Sequence, residues 1–298
     1  MKSKDKFIEI FNSKIKTLLI FFVAVIGIVL FSASSAMAAT YYVDQSGSNT
    51  NNGLSIGSAW KELPGTYGSS GWPVKINPGD VLVLSAGDVW SKNVRINGTY
   101  YNNATESAPI TITSSSASQK AIFDFASTSV DLGFEVQVQG VIMQHLEIRN
   151  ISTSGSAIGI AFGNDCGTDG KYGKVLNCYI HDIVDTVGYE TASNQAFAVN
   201  FTISSNNEVA YNTFKNVSKK FIGAGEGGSC PSGSFPPTSY ISVHHNVMED
   251  DATFTGSPMD HGVAMAGNNH SIHDNLVWSE RPTTVEPAFA IKVDGTAT

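Results

Sequence analysis

Three lysines fall within six positions, Lys215, Lys219 and Lys220, in a chain that has only 18 basic residues among 298. Neighbouring positive charge favours the neutral amine that a catalytic base requires, so Lys220, flanked by the other two, is the candidate base. Acids lie on the segments around it: Asp260, Glu286 and Glu226, with Asp250 and Asp251 on an adjoining stretch. A base beside a cation suits elimination at a uronic acid. The base removes the proton next to the carboxylate, and the cation neutralises that carboxylate so that the carbanion-like state is stabilised. Calcium, which takes several oxygen ligands, would fit the acids, and Glu226, Asp250 and Asp251 are its candidate ligands. Lys220 and Asp260 are the candidate catalytic pair, and Asn200, Lys292, Glu286 and Asn268 the candidate substrate contacts. A glycoside hydrolase would instead need two carboxylates across a bond, with Asp260 and Glu286, or Asp250 and Asp251, as the pairs on offer. Asp260 also precedes a strand in Asp260-His261-Gly262, where a turn role competes with a site role. His244, His245, His270 and His273 alternate with Val243 and Ile272, which sets them on loops or an outer wall; a zinc site calls for a tighter cluster.

These residues are positioned by a recurring strand. It reads AIGIAF (157–162), AFAVNF (196–201), KFIGAG (220–225), GVAMAG (262–267) and AFAIKV (288–293). Bulky apolar residues on one parity, such as Phe197, Val199 and Phe201, predict a strand with one buried face. Four asparagines, Asn177, Asn212, Asn246 and Asn275, follow the first four copies at spacings of 35, 34 and 29. A unit repeating at that period is the signature of a solenoid, and stacked asparagines satisfy one another's amides, which makes them scaffold. His145 stands 32 residues before Asn177, in an equivalent place.

The opposite parity predicts the face. Its rows read Ala157, Ala196, Lys220, Gly262, Ala288, then Gly159, Ala198, Ile222, Ala264, Ala290, then Ala161, Asn200, Ala224, Ala266, Lys292. Rows of Ala and Gly give either a flat groove or a face covered by loops or by another chain. Five coils at the interstrand spacing make a strip of about 19 Å, the scale of a short oligosaccharide. The register of KFIGAG is open: with Ile222 inward, Lys219 or Phe221 replaces Lys220 on the face.

The first 38 residues read as a signal peptide, with five lysines against two acids, an apolar run from Leu18 to Phe31 and Ala36-Met37-Ala38 at the cleavage site. Secretion or display at the cell surface follows, with no membrane association after cleavage. Without that leader the net charge falls from −8 to −11, which argues against nucleic acid as a partner. An acidic polysaccharide would then need a bridging cation or local lysines. Cys166 and Cys230, in Gly-rich loops, form a possible disulfide, while Cys178 reads as a small buried hydrophobe.

In chain order, YYVD (41–44) precedes an Asn/Gly/Ser loop, a segment expected to be helical around Trp60 and Leu63, and a turn at Pro78-Gly79-Asp80 that feeds a strand from Val81 to Leu84. This order, continued by GDVW (87–90), APITITSSS (108–116), AIFDF (121–125) and VIMQHLEIRNI (141–151), resembles secreted right-handed parallel β-helix proteins of the pectate lyase-like superfamily. The resemblance spans nearly all of residues 39–298 and implies an all-β, right-handed, single-stranded parallel β-helix. A strand and capping segment would occupy 39–80 and the helix 81–298, ending without a C-terminal cap. It also makes a lysine base with calcium natural, although no catalytic motif of that superfamily is intact here. Two function classes follow: a lyase-like enzyme on an acidic glycan, or a non-catalytic, adhesin-like surface protein. The second is favoured by the scarcity of arginines, Arg95, Arg149 and Arg281, for gripping carboxylates.

Overall fold

The computed structural model describes residues 37–163, 170–186, 196–225, 238–254, 259–280 and 289–294. Glu226, Glu286, Cys166, Cys230 and nearly all of the expected leader lie outside them. The described chain is a parallel β-helix of three sheets. From Val81 onward each coil contributes one strand to each sheet in turn. Sheet one runs from Thr40–Val43 to Ser271–His273, sheet two from Val89–Trp90 to Leu276–Ser279, and sheet three from Val94–Ile96 to Phe289–Asp294. No helix among the described residues is long and apolar enough to cross a membrane.

The alternation that marks the five recurring strands places all of them side by side in sheet three. Their apolar side chains meet those of sheets one and two along a central axis, where aromatic rings pack coil upon coil. Phe123 packs edge-on against Phe134 at 4.6 Å, Phe162 stacks on Phe201 at 5.3 Å, and Phe214 lies 6.3 Å from Phe221. All six of these phenylalanines are fully buried. A buried phenylalanine contributes roughly 1.5–3 kcal/mol relative to an exposed one, so this column is a main source of stability.

At the start of sheet one, Thr40–Val43 pairs with Val81–Leu84. The indole of Trp60 stacks on Tyr41 at 4.7 Å and donates its N–H to the Asn51 carbonyl. Gly53 is left-handed (φ +74°), and a Cβ there would fall 2.7 Å from the indole, so only glycine lets this loop close over the ring. The expected helix around Trp60 and Leu63 is absent. A single 3₁₀ turn, Ile56–Ser58, stands just before it, and Trp60 is drawn into an extended bridge with Val43.

Two recurring corners flank sheet one. Gly140, Tyr172, Asn206, Tyr240 and Asn269 precede the sheet-one strands, and His145, Asn177, Tyr211, His245 and Asp274 follow them, all with left-handed backbone. Within each coil the two corners are five positions apart. A left-handed non-glycine residue costs roughly 1–2 kcal/mol, least for Asn and Asp.

This corrects the reading of Asn177. It is an exposed corner residue with φ +53°, and the ladder passes one position later, through Cys178, Asn212, Asn246 and Asn275. Asn212 Nδ2 donates to Asn246 Oδ1 at 2.9 Å, and Asn246 Nδ2 to Asn275 Oδ1 at 2.9 Å. The scaffold role assigned to Asn212, Asn246 and Asn275 agrees with these bonds. Cys178 is buried, as read, and burial pushes its thiol up to about 11.

Candidate functional site

The register of sheet three decides which residues share its outer face. One row reads Leu132, Ile158, Phe197, Lys220, His261, Phe289. Another reads Arg95, Glu135, Ala161, Asn200, Gly223, Ala264, Lys292. Several of the expected row assignments are therefore overturned. Ile222 lines up with Val199 inside the core, so the third copy sits one residue out of the expected register. Ala157, Ala196 and Ala198 are fully buried, so they line no groove. Ala224 and Ala266 leave the row of Asn200, to which Gly223 and Ala264 belong. Lys220 nevertheless keeps its place on the face, beside Phe197 in place of Ala196; Lys219 and Phe221 turn inward instead.

The local geometry around Lys220 is irregular. Lys219 pairs with Met259 and Lys220 with His261, so Asp260 is an extra residue opposite the 219–220 link, a β-bulge. Bulges re-aim side chains and are common next to active sites. Asp260 thus lies at the beginning of the strand Met259–Ala266 and is not a turn residue. Lys219 is itself left-handed (φ +70°), and the Lys220 N–H closes a tight turn onto the Ser218 carbonyl at 3.0 Å. With its backbone so turned, Lys219 sends its ammonium into the protein to meet Asp185 at 2.6 Å. Lys220 goes the other way: its Nζ stands 5.5 Å from the centroid of the Phe197 ring, in cation–π range. That ring lies against Gly223, where a Cβ would come within 2.2 Å of it.

The expected lysine cluster dissolves in this arrangement. Lys215 faces outward on sheet two and is held by Glu249 at 3.2 Å and Asp251 at 3.3 Å, while Lys219 is spent on Asp185. Each flanking ammonium is neutralised by its own carboxylate, which removes the cause proposed for a neutral Lys220. Asp250 and Asp251 also part company. Asp250 is fully buried, whereas the Asp251 carboxylate accepts from the Thr253 hydroxyl and N–H and then from Lys215, which holds it down at about 2. Glu226, the third residue of the expected calcium set, lies outside the described residues.

Asn200 donates to Thr202 at 3.2 Å, and Lys292 is placed in its row by backbone register. Asn268 is exposed on the turn after sheet three, where its carbonyl accepts from the Tyr240 N–H. Arg95 and Gln137 grip the two oxygens of Glu135 at 2.5 and 2.7 Å. Phe197, His261 and Asp185 are the residues that sequence reasoning passed over. Phe197, read as an inward residue, stands on the outer face, His261 takes the place expected for Gly262 beside Lys220, and Asp185 is recognisable only once Lys219 is seen to turn inward.

The outer face of sheet two carries a separate charged row, Asp124, Arg149, His181, Lys215, Glu249, Trp278. Burial disfavours the charged form of His181, but its hydrogen bonds to Asp182 (2.7 Å) and Glu147 (3.3 Å) outweigh this and raise its pKa. The hydrogen bond from His181 in turn lowers Glu147, against the opposing effect of burial. These groups pair with one another from coil to coil, which suits a structural zipper.

No protein-family model matches the chain, and no curated protein does. Among solved structures it is similar to the GH136 lacto-N-biosidase from Eubacterium ramulus, at 15% identity over 84% of this chain and 53% of that one, with a TM-score of 0.62. A rhamnogalacturonan lyase matches at 15% identity over 87% of this chain and 63% of that one, TM-score 0.54. A mannuronic acid specific polysaccharide family 6 lyase from human gut microbiota matches at 15% over 74% and 47%, TM-score 0.53. The chain spans about half the length of these proteins. What it shares with them is the parallel β-helix, the fold to which its three parallel sheets belong.

Proposed function

We propose that this is a secreted, carbohydrate-active protein that binds an acidic polysaccharide along the outer face of sheet three and cleaves it by β-elimination. The observation that carries the reading is the row in which Lys220 stands between Phe197 and His261, opposite the bulge at Asp260. An aromatic ring offers a stacking surface for the apolar face of a sugar, a lysine a charge for a uronate, and an imidazole a base. The fold supports a glycan as ligand because its solved relatives include a lacto-N-biosidase and polysaccharide lyases.

The roles follow from ordinary acid–base behaviour. Near neutral pH a lysine is cationic and an imidazole has a lone pair to offer, so Lys220 pairs with the uronate carboxylate and His261 takes the proton from the adjacent carbon. The electron pair of that C–H bond becomes the new C=C bond, the bond to the glycosidic oxygen breaks, and the leaving oxygen takes a proton from water. This exchanges the base role first assigned to Lys220 for an electrostatic one, consistent with the neutralised Lys215 and Lys219. Calcium enters no step.

The test is incubation with pectate, alginate and neutral glycans while following absorbance at about 235 nm, where the conjugated C=C of a β-elimination product absorbs. Lys220→Ala and His261→Ala should each abolish the signal, and either variant retaining full activity refutes the assignment. New reducing ends without the absorbance would establish a hydrolase, and binding with neither would establish the adhesin-like class.

A further inference from the structure

A second cluster lies away from sheet three, at the corner where sheet one turns into sheet two in the last two complete coils. His244 and His273 end neighbouring sheet-one strands in register, with rings stacked at 5.0 Å and 4° between planes. His245 and Asp274 are the corner residues that follow, and their left-handed backbone (φ 55° and 54°) swings both side chains beside that stack. The potential ligand atoms of His245, His273 and Asp274 all lie within 4.8 Å of one another, and all three residues are exposed. His245 Nε2 stands 4.0 Å from Asp274 Oδ2, and His273 Nδ1 2.9 Å from the same oxygen. Ligand atoms around a tetrahedral metal at about 2.0–2.1 Å lie roughly 3.3 Å apart, so small rotations of exposed side chains close these three around one ion.

We infer that His245, His273 and Asp274 form a binding site for a divalent transition metal of the zinc class, bridging the coil of His245 to the next. The proton arrangement around His244 prepares it. His244 Nε2 faces Glu208 Oε1 at 3.2 Å, and His244 Nδ1 faces His245 Nδ1 at 2.9 Å. One pair of neutral tautomers satisfies both contacts: His244 donates from Nε2 to Glu208, and His245 donates from Nδ1 to His244. That leaves the lone pair of His245 on Nε2, the nitrogen turned toward Asp274. Carboxylate-to-imidazole relays of this kind orient metal-ligating histidines. Two imidazoles and one carboxylate select zinc, copper(II) or nickel(II) over calcium and magnesium, which prefer oxygen. The remaining position is open to water or to a donor from outside the chain. The sequence reading set these histidines on the outer wall, too dispersed for zinc; the stacking of one coil on the next brings them together.

The test uses tag-free full-length protein stripped with EDTA and titrated with zinc chloride in a calorimeter. Saturable binding of one zinc per chain is expected, undisturbed by millimolar calcium. His245→Ala and His273→Ala should each abolish it while far-UV circular dichroism stays native, and His181→Gln, on sheet two, should leave it intact. Glu208→Gln should weaken it about 10- to 100-fold, as loss of an outer partner does at other sites. No saturable binding by the wild-type chain, or binding unchanged in both His245→Ala and His273→Ala, overturns the proposal.

Discussion

Lys219 and Asp185 meet across neighbouring coils at 2.6 Å, with side chains 5% and 0% exposed. Removing one partner of such a pair strands a buried charge, which typically costs about 3–5 kcal/mol, whereas replacing both with apolar groups is often nearly neutral. Lys219→Met and Asp185→Leu should therefore each lower the urea midpoint strongly, and the double variant should recover much of the loss. If the double variant is as unstable as the sum of the singles, the pair is not the coupled unit described.

The corrected ladder separates Asn246 from Asn177. Asn246 accepts from the N–H and Nδ2 of Asn212 and donates to Val209, His244 and Asn275. Asn246→Ala leaves several buried groups unsatisfied, at about 1–3 kcal/mol each. Asn177→Ala loses only the tolerance of asparagine for a left-handed backbone, about 1 kcal/mol. Chemical denaturation of the two variants side by side should show Asn246→Ala as clearly the more damaging.

His181 has a pKa raised in the folded state, where Asp182 and Glu147 overcome the opposing effect of burial. A raised histidine contributes its full stability below the unfolded value of about 6.5 and loses it as pH rises through the folded pKa. Denaturation midpoints should therefore fall from slightly acid pH upward, and His181→Gln should flatten that part of the profile. A proton NMR titration of the ring should place its midpoint above about 6.5.

Gly223→Ala tests the Phe197 platform without touching a charged group. The new Cβ would stand 2.2 Å from the ring, which must tilt away and take its contact with Lys220 along. Affinity for an acidic oligosaccharide should drop about tenfold, the equivalent of about 1.4 kcal/mol, with little change in thermal midpoint. Unaltered affinity would remove Phe197 from the binding face.

Cys178 should be inert. Its thiol is fully enclosed and raised to about 11, and the thiolate is the reactive form. In a Cys166→Ser, Cys230→Ser background, a thiol reagent should label the folded protein only at the rate of global unfolding.

The fold was readable because each copy of the recurring strand keeps its bulky apolar residues close to period two in sequence, although Ile158 and Phe197, read as inward, stand in the outer row of Lys220, and Phe221 and Ile222 are both buried. Register was harder. Aligning copies by their asparagines matched Asn177 to Asn212, although the chain pairs Cys178 with Asn212; small buried residues are interchangeable there and leave no mark in composition. A better guide was the five-position spacing of Asn, Asp, His and Tyr, residues tolerant of left-handed backbone. The bulge at Asp260 had no such guide, because it depends on how one strand meets another some 40 residues away. That single offset decides which side chains stand beside Lys220. For the same reason the histidines at 244, 245 and 273 looked dispersed along the chain and are neighbours in space.

The constant interval between the two corner stacks makes the arc from Gly140 to His145, and its counterparts up to Asn269 and Asp274, a ruler. A residue gained or lost inside it would push the wrong side chain into a left-handed position and shift every contact above and below. Elsewhere in the coil the length does differ, as at the borders of sheet three, where the end of one strand and the start of the next stand at unequal spacings. Evolution can thus lengthen, shorten or exchange the segments beside Lys220 and His261 while the stack keeps its pitch, so that new specificity need not be traded against the integrity of the scaffold.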